Sequence, residues 1–299
     1  MLSASLLQDY ATLTQAAGFV EVSARSKMEL RGDDRASFLH NFCTNNIKRL
    51  QPGESCEAFV CNAKGHTLGF VHIYADQQSL LIDSAPQQAA KLLAHWDRYL
   101  IREKVELLDR SETYAAFLLA GPELATRVAA LEQPWRTRLQ TVANAPYQAQ
   151  WLWCEHARRD AARAALTTAG LAPCSADAWE LVRVEQAWPE YSVDITEENL
   201  PQEVNRTSAA ISFTKGCYLG QETVARIDAL GHVNQTLTRL LFTGSTIPAP
   251  GTELSAGGKV VARITSAIWS PQWQQPLALA YVRRGFEASG TQLEQAKVL

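Results

Sequence analysis

The densest run of chemistry-bearing residues is Phe213-Thr214-Lys215-Gly216-Cys217-Tyr218-Leu219-Gly220-Gln221-Glu222, where two glycines bracket one cysteine between a cation and a carboxylate. Gly216 and Gly220 permit positive φ and close backbone approach, so the spacing predicts a tight loop entering a helix over Glu222–Leu230 that Gly231 closes. Cys217 then lies near the positive end of that helix and beside Lys215. Both influences favour the thiolate and make an exposed sulfur nucleophilic or oxidisable. The competing reading is a small apolar side chain filling a glycine-rich corner, the usual state of a free cysteine. Lys215 and Arg226 have a similar pair of readings: a grip on ligand carboxylates, or ordinary surface cations. A lone cysteine cannot hold an iron–sulfur cluster, which needs several thiolates, so any cluster here requires other chains.

Arg183-Val184-Glu185 forms a second candidate, on a helix predicted from Ser175 to Trp188 and followed by Leu200-Pro201-Gln202-Glu203-Val204-Asn205. A buried carboxylate is costly unless paired, and a flat heterocycle with adjacent N–H donors satisfies both oxygens. The alternative sets Glu185 on an exposed helix face beside Trp188. His40, His72 and His95 fall within periodic elements as packing or surface residues, and no histidine has a Ser or Cys partner at motif spacing. G-x-S-x-G, Walker A and G-x-G-x-x-G signatures are absent, which removes the usual sequence support for hydrolase and nucleotide chemistry. Trp151 and Trp153 share one strand face, and Trp269 and Trp273 flank Ser270-Pro271; such residues more often pack than stack on a ligand.

The elements that must position these residues follow from periodicity. Leu6, Leu7, Tyr10, Leu13 and Ala17 predict a short amphipathic helix; a second pattern runs through Phe38, Leu39 and Phe42. Cys56–Cys61, Leu68–Tyr74 and Leu80–Ile82 read as strands, Pro86 as the first turn of a helix through Leu92 and Trp96, and Lys104–Leu108 as a strand. From Thr113 a β-α-β-β-α order suggests a split βαβ lobe ending at Gly170. After Leu237 short alternating runs between Gly, Pro and Ser suggest a small antiparallel barrel. That tail carries a net +3 beside −6 in the remainder, either a cleft for an anionic ligand or an ordinary solvated surface. The whole chain has 299 residues, 46% hydrophobic and 20% charged, with net charge −3. It therefore has material for several cores and is too balanced for a nucleic-acid wrapper. Six scattered cysteines without a C-x-x-C pair predict neither a disulfide framework nor a zinc site. No apolar run reaches membrane-span length, and no cationic region precedes an apolar block at the start, so a cytoplasmic address is expected.

The run Lys215–Glu222 resembles the K-G-C-Y-x-G-Q-E signature of the YgfZ-type folate-binding proteins, relatives of the glycine-cleavage T-protein. Gly32, Asp34, Phe38, Leu39 and Thr44-Asn45-Asn46-Ile47 are similar to the family's N-terminal G-x-D-x-x-x-F-L…T-N-D-V pattern, with Asn46 replacing the acid. Asn62-Ala63-Lys64-Gly65 is similar to its "kG" hairpin, Leu200–Asn205 to its L-P-x-E-x-N segment, and Thr265-Ser266 with Leu277–Arg284 to its closing barrel.

The resemblance implies an α+β, three-lobed ring of T-protein type, with ferredoxin-like α+β lobes, a C-terminal antiparallel β-barrel and a folate pocket at the centre. Residues 1–112 with 175–235 would form the folate-binding body, 113–174 the split βαβ lobe and 236–299 the barrel. By motif position, Lys215, Tyr218, Gln221, Glu222, Arg226, Gln202, Glu203 and Asn205 would bind tetrahydrofolate or a derivative. Glu185 would meet the pterin, and Cys217 would be the candidate reactive thiol, with no metal. The implied role is that of an accessory factor for iron–sulfur enzymes, including those that modify tRNA. Its partners would be folate and iron–sulfur client proteins, not nucleic acid or membrane. True aminomethyltransferases carry an acidic pair on the hairpin, where Gly69-Phe70 stand here, so aminomethyl transfer loses its main group unless Asp76 or Asp83 replaces it. A folate-dependent one-carbon transferase and a redox thiol protein are the alternatives.

Overall fold

The computed structural model describes residues 2–135, 139–143, 145 and 148–299. Three sheets organise them. The first is antiparallel, in the order Ser55–Cys61, Thr67–Ala75, Ser79–Ser84, Ser26–Arg31, Glu106–Asp109. Helices Arg35–His40 and Ala89–Asp97 cover one face, burying Phe38, Leu39, Leu92 and Trp96 against Met28, Leu30, Val60 and Ile73.

The second sheet runs Ala172–Cys174, Gly18–Glu21, Tyr114–Ala120, Ala149–Glu155, Leu139–Thr141. Its central strand is the chain's longest apolar stretch, and the period of two explains why: Ala116, Leu118 and Ala120 enter one cluster while Ala115, Phe117 and Leu119 enter another. Helices Leu124–Ala129 and Arg159–Thr168 lie on the latter side. Helix Ala176–Glu185 lies on the former.

One strand expected in the body of residues 1–112 with 175–235, Gly18–Glu21, belongs instead to the sheet of the split lobe. It pairs antiparallel with Tyr114–Ala120 and parallel with Ala172–Cys174. A two-neighbour strand completes a sheet that residues 113–174 alone would leave with an open central edge. The close approach depends on glycine: a Cβ on Gly121, at φ 134°, would stand 2.3 Å from the Ala16 carbonyl oxygen. A second difference is local. The helix expected to start at Pro86 begins at Ala89, where the Ser26 hydroxyl accepts from the Gln88 and Ala89 amides and thereby takes over the capping.

The third sheet, in the order Glu253–Ala256, Lys259–Ser270, Gln275–Arg283, Gln235–Phe242, Ala296–Val298, Gln292–Leu293, curls into a nearly closed six-strand antiparallel barrel filled by Leu240, Ile264, Ala280 and Val282. The three lobes meet on one buried cluster that includes Phe59 and Phe70 of the first sheet, Leu181 and Val184 of the Ala176–Glu185 helix, and Leu277 and Leu279 of the barrel. The fold is an α+β, three-lobed arrangement with apolar side chains packed where the lobes converge.

Candidate functional site

The Cys217 loop is fixed from beneath. Lys215 is buried, and its ammonium donates to the main-chain carbonyls of His40, Cys43 (2.6 Å) and Asn45 (2.9 Å). It also lies 4.8 Å from the centroid of the Tyr218 ring. Burial pushes the Lys215 pKa down, with partial compensation from neighbouring groups. Further ties run from the Leu219 amide to Asn41 O and from Ser212 N to Thr44 O, so the loop is bound to the T-N-N-I segment. Tyr218 is buried in the central cluster, and burial raises its phenol pKa. Lys215 thus spends its three N–H bonds holding the loop.

The "kG" hairpin turn meets the same loop. A Cβ on Gly220, at φ 85°, would stand 2.5 Å from the Asn62 carbonyl oxygen, and one on Gly65, at φ 81°, would stand 2.7 Å from Thr223 Cβ. Only glycine fits both sides of this contact. Gly220 caps the helix Gln221–Leu230, whose Val224 carbonyl accepts from Gln202 Nε2 at 2.7 Å. Cys217 itself is exposed, as are Glu222 and Arg226; neither charge has an ion pair among the described residues. The reading of Cys217 as a buried apolar filler is thereby excluded. Gln221 is half-buried at the first turn of the helix. Glu203 is buried and accepts from the Leu200 amide at 3.1 Å, while Asn205 is exposed in the left-handed region at φ 62°.

Glu185 lies apart from this loop and is fully buried, so the exposed-face alternative fails. One carboxylate oxygen accepts from the Tyr10 hydroxyl at 2.6 Å. The other accepts from the Ser270 hydroxyl and from the Gln272 amide at 3.1 Å. Both oxygens are thus satisfied by the first helix, Ala4–Gln15, and by the end of a barrel strand. In this arrangement Glu185 bonds the N-terminal helix to the barrel.

The chemistry that sequence reasoning missed lies in a cleft of about 380 Å³ between the two α+β lobes. Trp151, Trp179, Trp188, His72, Arg25 and Arg183 are among its walls. Trp179 and Trp188 meet edge to face at 5.9 Å, and His72 lies 5.5 Å from Trp188. Arg25 stands 5.5 Å from the Trp151 centroid, donates to both Asp83 oxygens at 2.8–3.0 Å, and reaches Glu190 at 2.6 Å. Among the described residues, His72 Nε2 and Trp151 Nε1 are buried without a hydrogen-bond partner, and His72 Nδ1 stands 3.8 Å from Asp83 Oδ2, beyond hydrogen-bond reach. Flat aromatic walls with orphaned polar atoms suit a pterin-sized heterocycle. Pairwise motif spacing could not reveal them, because they come from four elements far apart in sequence.

None of the residues lining this cleft belongs to the Cys217 loop or is Glu185. The hairpin positions that would carry the acidic pair hold Gly69, packed on Leu92, and Phe70, stacked 5.0 Å from Phe59. The acids nearest by strand pairing, Asp83 and Glu57, both stand opposite His72, are fully buried and are committed to Arg25 and Arg206 respectively; Asp76 sits in the turn between two strands.

The family comparisons agree with this architecture. The GCVT N-terminal domain matches residues 2–150, and the glycine cleavage T-protein C-terminal barrel domain matches residues 236–296. The chain belongs to the T-protein superfamily. Within this folate-dependent aminomethyltransferase-like group, it is 26% identical to an aminomethyltransferase of Thermus thermophilus over 95% of this chain and 84% of that one. It is 25% identical to a chloroplastic protein of Arabidopsis thaliana named as a candidate transferase, over 89% of this chain but only 65% of that protein's length. The crystal structure of glycine cleavage system aminomethyltransferase T from Bartonella henselae superposes with a TM-score of 0.85 at 16% identity, covering 98% of this chain and 86% of that one. That likeness establishes the fold. No helix among the described residues is long and apolar enough to cross a membrane.

Proposed function

We propose that this T-protein relative is a cytoplasmic, tetrahydrofolate-binding accessory protein for iron–sulfur enzymes, including those that modify tRNA, and not a nucleic-acid or membrane binder. The observation that carries the reading is a pairing of presence and absence. Cys217 is exposed on a loop bolted down by Lys215, while the hairpin of the transferase chemistry holds Gly69 and Phe70 in place of acids. Without a carboxylate there, proton handling at the folate nitrogen lacks its group.

Folate supplies one-carbon chemistry when bound. This chain's contribution is recognition: Trp151, Trp179 and Trp188 offer faces to the pterin, His72 and Trp151 Nε1 offer polar partners, and Arg25 places a cation beside them. The motif residues Gln202, Gln221, Glu222 and Arg226 gather instead around the thiol loop, where they would receive a client.

Tetrahydrofolate titration tests the first half. Trp179→Ala should weaken binding about 10-fold, the loss of one stacking partner, whereas Cys217→Ser should leave affinity unchanged. Equal binding by Trp179→Ala and the parent would sink the cleft assignment. In cells, Cys217→Ser should fail to restore cluster-dependent tRNA thiolation to a deletion strain. Full restoration would remove the thiol from the function. The named aminomethyltransferase relatives favour one other reading, a one-carbon transferase; purified protein that forms methylenetetrahydrofolate from an amine donor would establish it.

A further inference from the structure

A second cavity, of about 350 Å³, lies between residues 193–199 and the outer face of the barrel. Arg263 and Tyr281 are cross-strand partners there, facing outward because the alternate residues Ala262, Ala280 and Val282 fill the barrel interior. Most polar atoms of the wall are already committed. Asp194 receives Arg183 at 2.7 Å, the hydroxyls of Thr265 and Ser266 at 2.6 Å each, and the Glu190 amide at 2.9 Å. The Asn199 side-chain oxygen accepts from the Thr196 amide.

Besides the half-buried Gln235 amide, three groups remain. Tyr281 is 8% exposed, and its hydroxyl is buried without a hydrogen-bond partner among the described residues. Burial, with Glu203 and Asp194 nearby, raises its phenol pKa, so it remains a donor. Glu198 and Arg263 line the same cavity with opposite charge, are both exposed, and make no ion pair with each other or with any described residue.

We propose that this cavity binds a small zwitterion of the α-amino-acid class, with its carboxylate on Arg263 and the Tyr281 hydroxyl and its ammonium on Glu198. A ligand with a carboxylate alone brings that charge up to Glu198, and one with an amine alone brings its charge up to Arg263. A molecule with both ends satisfies the two walls together and supplies the acceptor that the buried hydroxyl lacks. The cavity is of a size typical for small-ligand sites. It shares with the tryptophan cleft only Val193, at the rim, so the proposal stands independently of the folate reading.

The test is calorimetric titration of the full chain with alanine and serine, using propionate and ethylamine as single-charge controls. Saturable binding is expected for the two amino acids and not for the controls. Arg263→Gln and Glu198→Gln, both at exposed positions, should each weaken alanine binding about 10-fold, and Tyr281→Phe should weaken it several-fold. Tetrahydrofolate binding should be unaffected in all three, which also reports that the variants are folded. No saturation by alanine or serine, propionate binding as tightly as alanine, or unchanged affinity in Arg263→Gln and Glu198→Gln would each overturn the proposal.

Discussion

Asp83→Asn removes one charge from behind Arg25, a wall of the tryptophan cleft, while keeping the side chain's shape. Asp83 has no exposed surface, and it accepts three hydrogen bonds from Arg25, whose side chain is 16% exposed. Neutralising one partner of a buried ion pair costs about 3–5 kcal/mol. Arg25 retains Glu190 at 2.6 Å, which places the cost at the low end, about 3 kcal/mol. An unfolding entropy of roughly 2.1 cal/mol/K per residue then gives a fall in melting temperature of about 5 °C for a chain of this length at neutral pH. Acid should narrow that gap. Burial alone would raise the Asp83 carboxyl, but the Arg25 charge, the nearby His72 and the hydrogen bonds from Arg25 outweigh it and hold the group below its usual 3.8. A carboxyl depressed by folding contributes stability that is complete above its unfolded pKa and is lost as pH falls through the folded one. Scanning calorimetry of parent and variant from neutral pH to about pH 3 should therefore show the difference shrink below about pH 4. A gap under about 1 °C at neutral pH, or one that stays constant into acid, would refute the assignment of this pair as a stabilising buried contact.

Two substitutions examine the support of the thiol loop. Gly220→Ala should destabilise the chain by at least about 1–2 kcal/mol from its left-handed backbone alone, and by clearly more than Gly231→Ala, because only Gly220 would drive its Cβ against the Asn62 carbonyl; equal urea midpoints for the two variants would contradict this. Lys215→Met strands the buried carbonyls of His40 and Cys43 and takes one donor from Asn45 O; it should cost about 2–3 kcal/mol while speeding alkylation of Cys217 by iodoacetamide, and an unchanged alkylation rate would show that Lys215 does not hold the loop.

The fold was legible where periodicity is strong and contacts are local. The β-α-β-β-α order after Thr113 and the barrel after Leu237 correspond to observed elements because alternating residues face distinct cores. The strand Gly18–Glu21 was assigned to the wrong lobe because its partners lie near residues 117 and 173, and four residues of local pattern do not encode a crossover. Half of the glycine-bracketed loop could be read: Gly220 marks backbone geometry directly, at φ 85° against the Asn62 carbonyl, whereas Gly216 has neither a left-handed φ nor a close backbone neighbour. The role of Lys215 could not, since a buried lysine and a surface lysine look identical until three carbonyls converge on one of them. Glu185 needs partners, as its type and burial require, but local sequence could not name Tyr10 and Ser270, which donate to it from 175 and 85 residues away.

One strand separates the two parts of the candidate site. Thr67–Ala75 starts beside the Gly65 turn that touches Gly220 and Thr223, and five residues later it places His72 in the tryptophan cleft. At roughly 3.3 Å per residue, Thr67 and His72 stand about 17 Å apart along a strand paired with Ser55–Cys61 and, from Val71 onward, with Ser79–Ser84. A pterin against His72 and Trp188 would therefore sit well away from Cys217. In the proposed function the thiol then works on a group presented by a client at the exposed face, with folate occupancy acting from the other end of the strand. This arrangement separates the two variants: Trp179→Ala should lose tetrahydrofolate affinity and keep Cys217 alkylation at the parent rate, and Cys217→Ser should do the reverse. If bound tetrahydrofolate shielded Cys217 from iodoacetamide as completely as a folded client would, the ligand would have to lie over the thiol loop, and the cleft would lose its assignment.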